Sequence, residues 1–242
     1  DAGGADTVIS QPVGLLYAHT KDTLYFLDVA ASAFKKVAAF TFDKHEGYVT
    51  DIALNKFGSL FAVTFGDLFQ CNRETAKCIW LAELPQEFNG LTFIPEGIID
   101  PTQEALVGIA GLGTWYHIQF GSGKVTLKAI GSYGGGWWSS GDAFSVVGVG
   151  TYATLKKCNG CDNFLAEVDP KTGKIIKVIG KTGNAQGLFG LAWWAGVFYG
   201  VSNDGNIYVL DVNTGDATQV KGITVPKDVQ WWGAGVSTRA GG

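Results

Sequence analysis

An all-β fold, specifically a five-bladed β-propeller, is what this sequence predicts, on three observations. Glycine makes up 35 of 242 residues, about twice the ~7% of an average protein. Short segments rich in Val, Ile, Phe, Tyr and Thr alternate with clusters of Gly, Asn, Asp and Ser, and helical periodicity is hard to find. One four-strand pattern, clearest over residues 190–220, recurs loosely along the chain. Composition supports a packed globule: 46% of residues are apolar, 13% are aromatic and the net charge is only -4, which excludes disorder. The six prolines and the lack of a Gly-X-Y period exclude collagen-like or polyproline structure.

The clearest unit reads as strands over 191–194, 197–202, 206–212 and 216–220, joined by the turns Ala195-Gly196, Asn203-Asp204-Gly205 and Asn213-Thr214-Gly215. That is one antiparallel propeller blade. Aligned first strands begin at Asp51, Gly90, Asp142, Gly190 and Gly233, at spacings of 39, 52, 48 and 43. The third and fourth strands align as hairpins starting at Thr23, Asp67, Thr114, Phe164 and Asn206. The last first strand, over 233–239, has no later strands to follow it, and the strand near Leu15 has no first strand before it. The C-terminal strand must therefore join the N-terminal blade, closing the ring and removing two exposed edges. The expected organisation is a tail over residues 1–12 and one propeller domain over 13–242, with a barrel or sandwich as the structural alternative.

The run GLAWWAGVFYGVSNDGNIYVLDVNTGDATQV, with DPKTGK at 169–174, resembles the degenerate repeat of secreted bacterial propellers of the quinoprotein-like and NHL-like kind. The segments SSGDAFSVVGVGTYATLK, FLAEVDPKTGK and WWGAGVST resemble parts of uncharacterised bacterial propeller lipoproteins. The resemblance implies the fold and export and carries no chemistry, since its D-x-x-TG element is a turn in which Asp caps, Thr bonds backbone and Gly takes a positive φ. Nothing in it transfers a quinone, and no cofactor or metal is expected.

Four cysteines form two local pairs. Cys71 and Cys78 flank an expected hairpin turn and are predicted to bridge across its strands. Cys158 and Cys161, in CNGC, read as a second disulfide, with a metal half-site or reduced thiols as alternatives. The chain contains no methionine and opens with Asp1-Ala-Gly-Gly-Ala-Asp6. The expectation is a removed export signal, an extracytoplasmic location and a lipid anchor upstream of residue 1 as an open option. No apolar run reaches the ~18 residues of a membrane helix. The weak acidic charge and lack of basic runs exclude a nucleic-acid surface.

Candidate sites follow from the repeat. First strands line the axis, so Asp51 and Asp142 are the carboxylates to consider for catalysis, because glycoside hydrolysis needs two opposed carboxyl groups. The competing reading is structural, with each aspartate accepting backbone N–H groups. Six of eight tryptophans occur as adjacent pairs, Trp137-Trp138, Trp193-Trp194 and Trp231-Trp232. Packing between blades is one role. The other places Trp137, Trp138, Trp231 and Trp232, with Asp142, as ligand-binding residues on one rim, rings stacking on sugars. The densest glycine run, Gly134–Gly136, is expected to let backbone approach a blade or a partner closely. His19, His45 and His117 are isolated and read as ordinary strand or surface residues. The function expected is an exported, non-catalytic binding or scaffold propeller that recognises a protein partner or glycan on one rim. The alternative is a glycoside hydrolase or related carboxylate enzyme using Asp51 and Asp142.

Overall fold

The computed structural model describes residues 16–240, and the tail expected over residues 1–12 lies outside that range. Five antiparallel blades surround one axis. Blade 1 runs outward from Gly233–Gly235 through Tyr17–His19 and Thr23–Asp28 to Ala33–Ala39. Blade 2 comprises Asp51–Leu54, Leu60–Val63, Asp67–Cys71 and Lys77–Glu83, and blade 3 Gly90–Ile94, Ala105–Ile109, Thr114–Gly121 and Lys124–Ser132. Trp138–Val146, Gly150–Lys156, Phe164–Val168 and Ile175–Lys181 form blade 4, and Leu188–Trp194, Val197–Ser202, Ile207–Leu210 and Ala217–Gln219 form blade 5. The C-terminal strand pairs with Tyr17–His19, matching Tyr17 to Gly235 and His19 to Gly233, so the ring closes as expected.

Three details depart from the sequence reading. The closing strand covers only Gly233–Gly235 rather than 233–239, because the chain then turns across the axis. The inner strand of blade 4 begins four residues before Asp142, with an irregular register between Ser139 and Ala143. A two-residue strand, Thr41–Phe42, runs parallel to Lys77–Glu83 and covers the outer edge of blade 2.

The core is a set of wedges between blades. Tyr17 and Leu24 meet Ile52 and Phe69 between blades 1 and 2, and Phe61 meets Leu91 and Phe93 between blades 2 and 3. Val107 and Trp115 of blade 3 pack on Ala153 and Leu155 of blade 4, while Phe144, Phe198 and Trp231 join blades 4, 5 and 1. The outer turns behave as the repeat requires. Asp169 Oδ2 accepts from Thr172 Oγ1 at 2.7 Å, and Gly173 N donates to the Asp169 carbonyl at 2.7 Å. Asp211 and Gly215 repeat that carbonyl bond at 2.7 Å. Both expected disulfides form: Cys71 and Cys78 sit directly opposite each other in the ladder, and Cys158 and Cys161 close a short loop between strands of blade 4.

Candidate functional site

The aligned residues Asp51, Gly90, Asp142, Gly190 and Gly233 lie at or shortly after the start of the five inner strands, at the upper mouth of the axis. The two aspartates turn inward, are fully buried and come within hydrogen-bonding reach of each other. Each also bonds the strand that follows it around the ring. Asp51 Oδ2 accepts from Leu91 N at 2.6 Å, and Asp142 Oδ2 accepts from Leu191 N at 2.8 Å. Asp142 further accepts from its own neighbour, Ala143 N, at 2.6 Å, and from Ala234 N. The residues bonded across the ring therefore follow the three aligned glycines, and the carboxyl groups lock blades 2 to 3, 4 to 5 and 4 to 1.

His19, expected to be an ordinary strand residue, completes this cluster. Its Nδ1 faces the Thr20 carbonyl at 2.9 Å, an acceptor only, so Nδ1 carries the proton. Nε2 then presents a lone pair 3.7 Å from Asp51 Oδ1, and neither atom has a hydrogen-bond partner. The register opposite Gly233 brings the ring to the axis. A Cβ on Gly233 would collide with both Asp51 Oδ1 and His19 Nε2.

Burial governs the protonation of this cluster. Desolvation lowers the His19 pKa to about 4, so the imidazole is neutral. Desolvation also pushes both carboxyl groups well above their usual range, and the negative Asp142 raises Asp51 further. Two ionised carboxylates cannot share so dry a site. Asp142 accepts three backbone N–H groups, from Leu191, Ala143 and Ala234, whereas Asp51 accepts those of Leu91 and Ile52. The pair accordingly keeps one proton, held on Asp51 beside the better hydrogen-bonded Asp142 anion. A protonated Asp51 needs an acceptor rather than a donor, which accounts for the lack of any donor at Oδ1.

The lower mouth is crossed by the chain that follows the closing strand. Ser237 Oγ donates to the Asn55 carbonyl of blade 2 at 3.0 Å, Thr238 Oγ1 donates to Glu104 of blade 3, and Val147 N of blade 4 donates to the Thr238 carbonyl at 2.8 Å. Beside it, Phe57, Phe61, Phe93 and Phe120 line a cleft of about 510 Å³ between blades 2 and 3, which also contains His117. His45 lies elsewhere, exposed, with Nδ1 3.1 Å from Asp67.

The tryptophans divide between core and rim. Trp231 is fully buried rather than displayed on the rim: it packs edge-on against Tyr25 and donates Nε1–H to the Gly205 carbonyl at 3.2 Å. It precedes the closing strand and turns into the wedge between blades 5 and 1. Trp232 is half-buried, edge-on to the exposed Tyr48. Trp137 packs on Phe164 under the Lys157 ammonium, 3.9 Å above its ring. Trp138 lines an upper cleft of about 400 Å³ between blades 3 and 4, with Tyr116, Asn89, Lys156 and Asn159. Gly134, Gly135 and Gly136 approach no adjacent blade closely, so that half of the expectation fails. Their φ values of 72°, 57° and 69° form an exposed left-handed turn, tied by Lys157 Nζ to the Gly135 carbonyl at 2.5 Å.

Among the described residues no three His, Cys, Asp or Glu side chains are spaced to hold a metal ion, and no helix is long and apolar enough to cross a membrane. No family model and no curated protein matches the chain. Solved structures similar to it include Kuenenia stuttgartiensis hydrazine synthase, at 10% identity over 90% of this chain and 69% of that one, with a TM-score of 0.47. The Dos1 propeller is 12% identical over 84% of this chain and 55% of that one, with a TM-score of 0.43. BamB from Moraxella catarrhalis is 16% identical over 88% and 72%, with a TM-score of 0.40. Likeness at this level carries nothing about what the chain binds.

Proposed function

We propose that this chain is a non-catalytic binding propeller that recognises its partner, a protein or a glycan, through the upper rim. The observation that carries the reading is the sealed carboxyl pair. Asp51 and Asp142 have the residue types a glycosidase requires, yet they touch each other inside the axis and are 0% exposed. A retaining or inverting mechanism needs carboxyl groups roughly 5–9.5 Å apart with a substrate between them. Here backbone N–H groups of neighbouring blades occupy that role, and the aspartates act as clips. Two disulfides and no free cysteine among the described residues support work in an oxidising, extracytoplasmic compartment.

A panel of aryl glycosides tests the catalytic alternative. Wild type and Asp51→Asn are expected to release no more aryl alcohol than buffer does. Turnover by wild type that disappears in a folded Asp51→Asn protein would overturn the proposal. Intact mass of protein from its native source, with and without reduction and alkylation, tests the compartment: two disulfides are expected, and four alkylatable thiols before reduction would contradict it.

A further inference from the structure

The upper cleft between blades 3 and 4 has rings and hydrogen-bonding groups in a combination suited to one ligand class. Trp138, at the start of blade 4, and Tyr116, on the third strand of blade 3, are both half-buried and line the cleft. Asn89, from the loop entering blade 3, lines it together with Asn159 and Lys156 from blade 4. Its volume of about 400 Å³ lies at the small end of ligand sites, which run to roughly 300–1,000 Å³. Asn89 Oδ1 is buried and accepts no hydrogen bond from the protein. Such an oxygen is a folding cost that a ligand donor removes. Reaching a ligand requires rotation about χ2, and that rotation costs Oδ1 no protein hydrogen bond.

A pyranose matches these groups. One face of the ring is C–H and packs on an indole, while its edge carries adjacent hydroxyls that donate to an amide oxygen and accept from an amide N–H or an ammonium. A nucleotide or other polyanion would need several cations, and among the described residues Lys156 is the one charged side chain lining the cleft. We infer that this cleft binds the terminal pyranose of a glycan, stacked on Trp138 with its hydroxyls on Asn89 and Lys156. The inference rests on the upper-rim binding reading and specifies its ligand.

The test is saturation-transfer NMR on the full chain with methyl glycosides of glucose, galactose, mannose, N-acetylglucosamine and glucuronic acid at millimolar concentration. Thermal melts accompany each variant. At least one probe is expected to saturate. Trp138→Ala is expected to lose that signal, and Asn89→Ala to weaken affinity about tenfold. Asn89→Ala should leave the melting temperature unchanged or raise it, because Oδ1 holds no protein hydrogen bond. That separates a binding role from a structural one even if Trp138→Ala fails to fold. Saturation that survives Asn89→Ala undiminished overturns the site while leaving a binding propeller. Saturation of no probe overturns the sugar and leaves a protein partner on the rim. Hydrolysis of a probe, seen as new anomeric signals lost in Asp51→Asn, overturns the non-catalytic reading itself.

Discussion

The inner strands of blades 2 and 4 and those of blades 1, 3 and 5 meet the same axis with opposite chemistry. Two bring a carboxyl group, Asp51 and Asp142, and three bring a glycine, Gly233, Gly90 and Gly190. Each kind depends on the other. The carboxyl groups reach the N–H groups that follow the glycines, and the glycines leave the room those side chains and neighbouring strands fill. A Cβ at Gly190 would lie 2.6 Å from Ala234 N and from the Gly233 carbonyl carbon, and one at Gly90 would lie 2.8 Å from the Gly141 carbonyl oxygen. Five identical residues could not satisfy this axis. Five carboxyl groups would repel one another, and five glycines would leave the inward N–H groups without acceptors.

Breaking the carboxylate side should have the largest effect. Asp142→Asn directs an amide N–H₂ at backbone donors and is expected to cost about 3–5 kcal/mol in urea unfolding. A loss under about 1 kcal/mol would show that Asp142 is not the anion of the pair. On the glycine side, Gly190→Ala presses on the Val201 methyl and on the backbone of the closing strand, which cannot both give way, and should cost about 3 kcal/mol. Unfolding at the wild-type urea midpoint would contradict the close approach.

The pH dependence sharpens the comparison further. His19 has a lowered pKa, so its contribution is present above the unfolded value of about 6.5 and is lost as pH falls toward about 4. Asp51 has a raised pKa, so its contribution is present below the unfolded value near 3.8 and is lost as pH rises through the folded value. Between about pH 4 and 6.5 the unfolded chain protonates His19 while the folded chain keeps protons on the buried carboxyl pair, so the two contributions oppose each other. The cluster therefore contributes little slope to stability across that window in wild type. In Asp51→Asn one of the two opposing carboxyl groups is gone, so stability should rise more steeply from pH 4 to 6.5 than in wild type. Equal slopes in the two proteins would place the proton elsewhere. The smallest effect is Asp51→Asn, where an amide replaces the carboxyl group that holds the pair's proton. It should cost no more than about 1 kcal/mol, and a loss as large as that of Asp142→Asn would remove the asymmetry between the two carboxyl groups.

The repeat made much of this axis legible. Once first strands were aligned, Asp51 and Asp142 stood at one structural position, and both closure and blade count followed from the incomplete copies at the ends. His19 was not legible in the same way. It lies on the second strand of blade 1 and reaches the axis only through the register of a closing strand 214 residues later. Trp231 illustrates a different limit. The rim reading set Trp231 beside Trp232 on one surface, but the strand starts only at Gly233, so alternation could not assign which ring turned inward. The triple glycine suggested close approach because glycine serves both contact and positive φ, and only backbone angles separate those uses.

The last strand also determines when the axis can form. Tyr17 and Gly235 are more than 200 residues apart, so their pairing carries the largest loop-closure cost in the ring and belongs to the slow, late part of folding. Until then Gly233 does not cover Asp51 and His19, and Ala234 does not reach Asp142. In the open ring the carboxyl groups face water and are ionised at neutral pH. Docking the strand excludes that water and requires the pair to take up a proton. Closure is thus a proton-consuming step, and refolding in weakly buffered, mildly acidic solution with a pH indicator should show alkalinisation in the slow phase; its absence there would separate the two events.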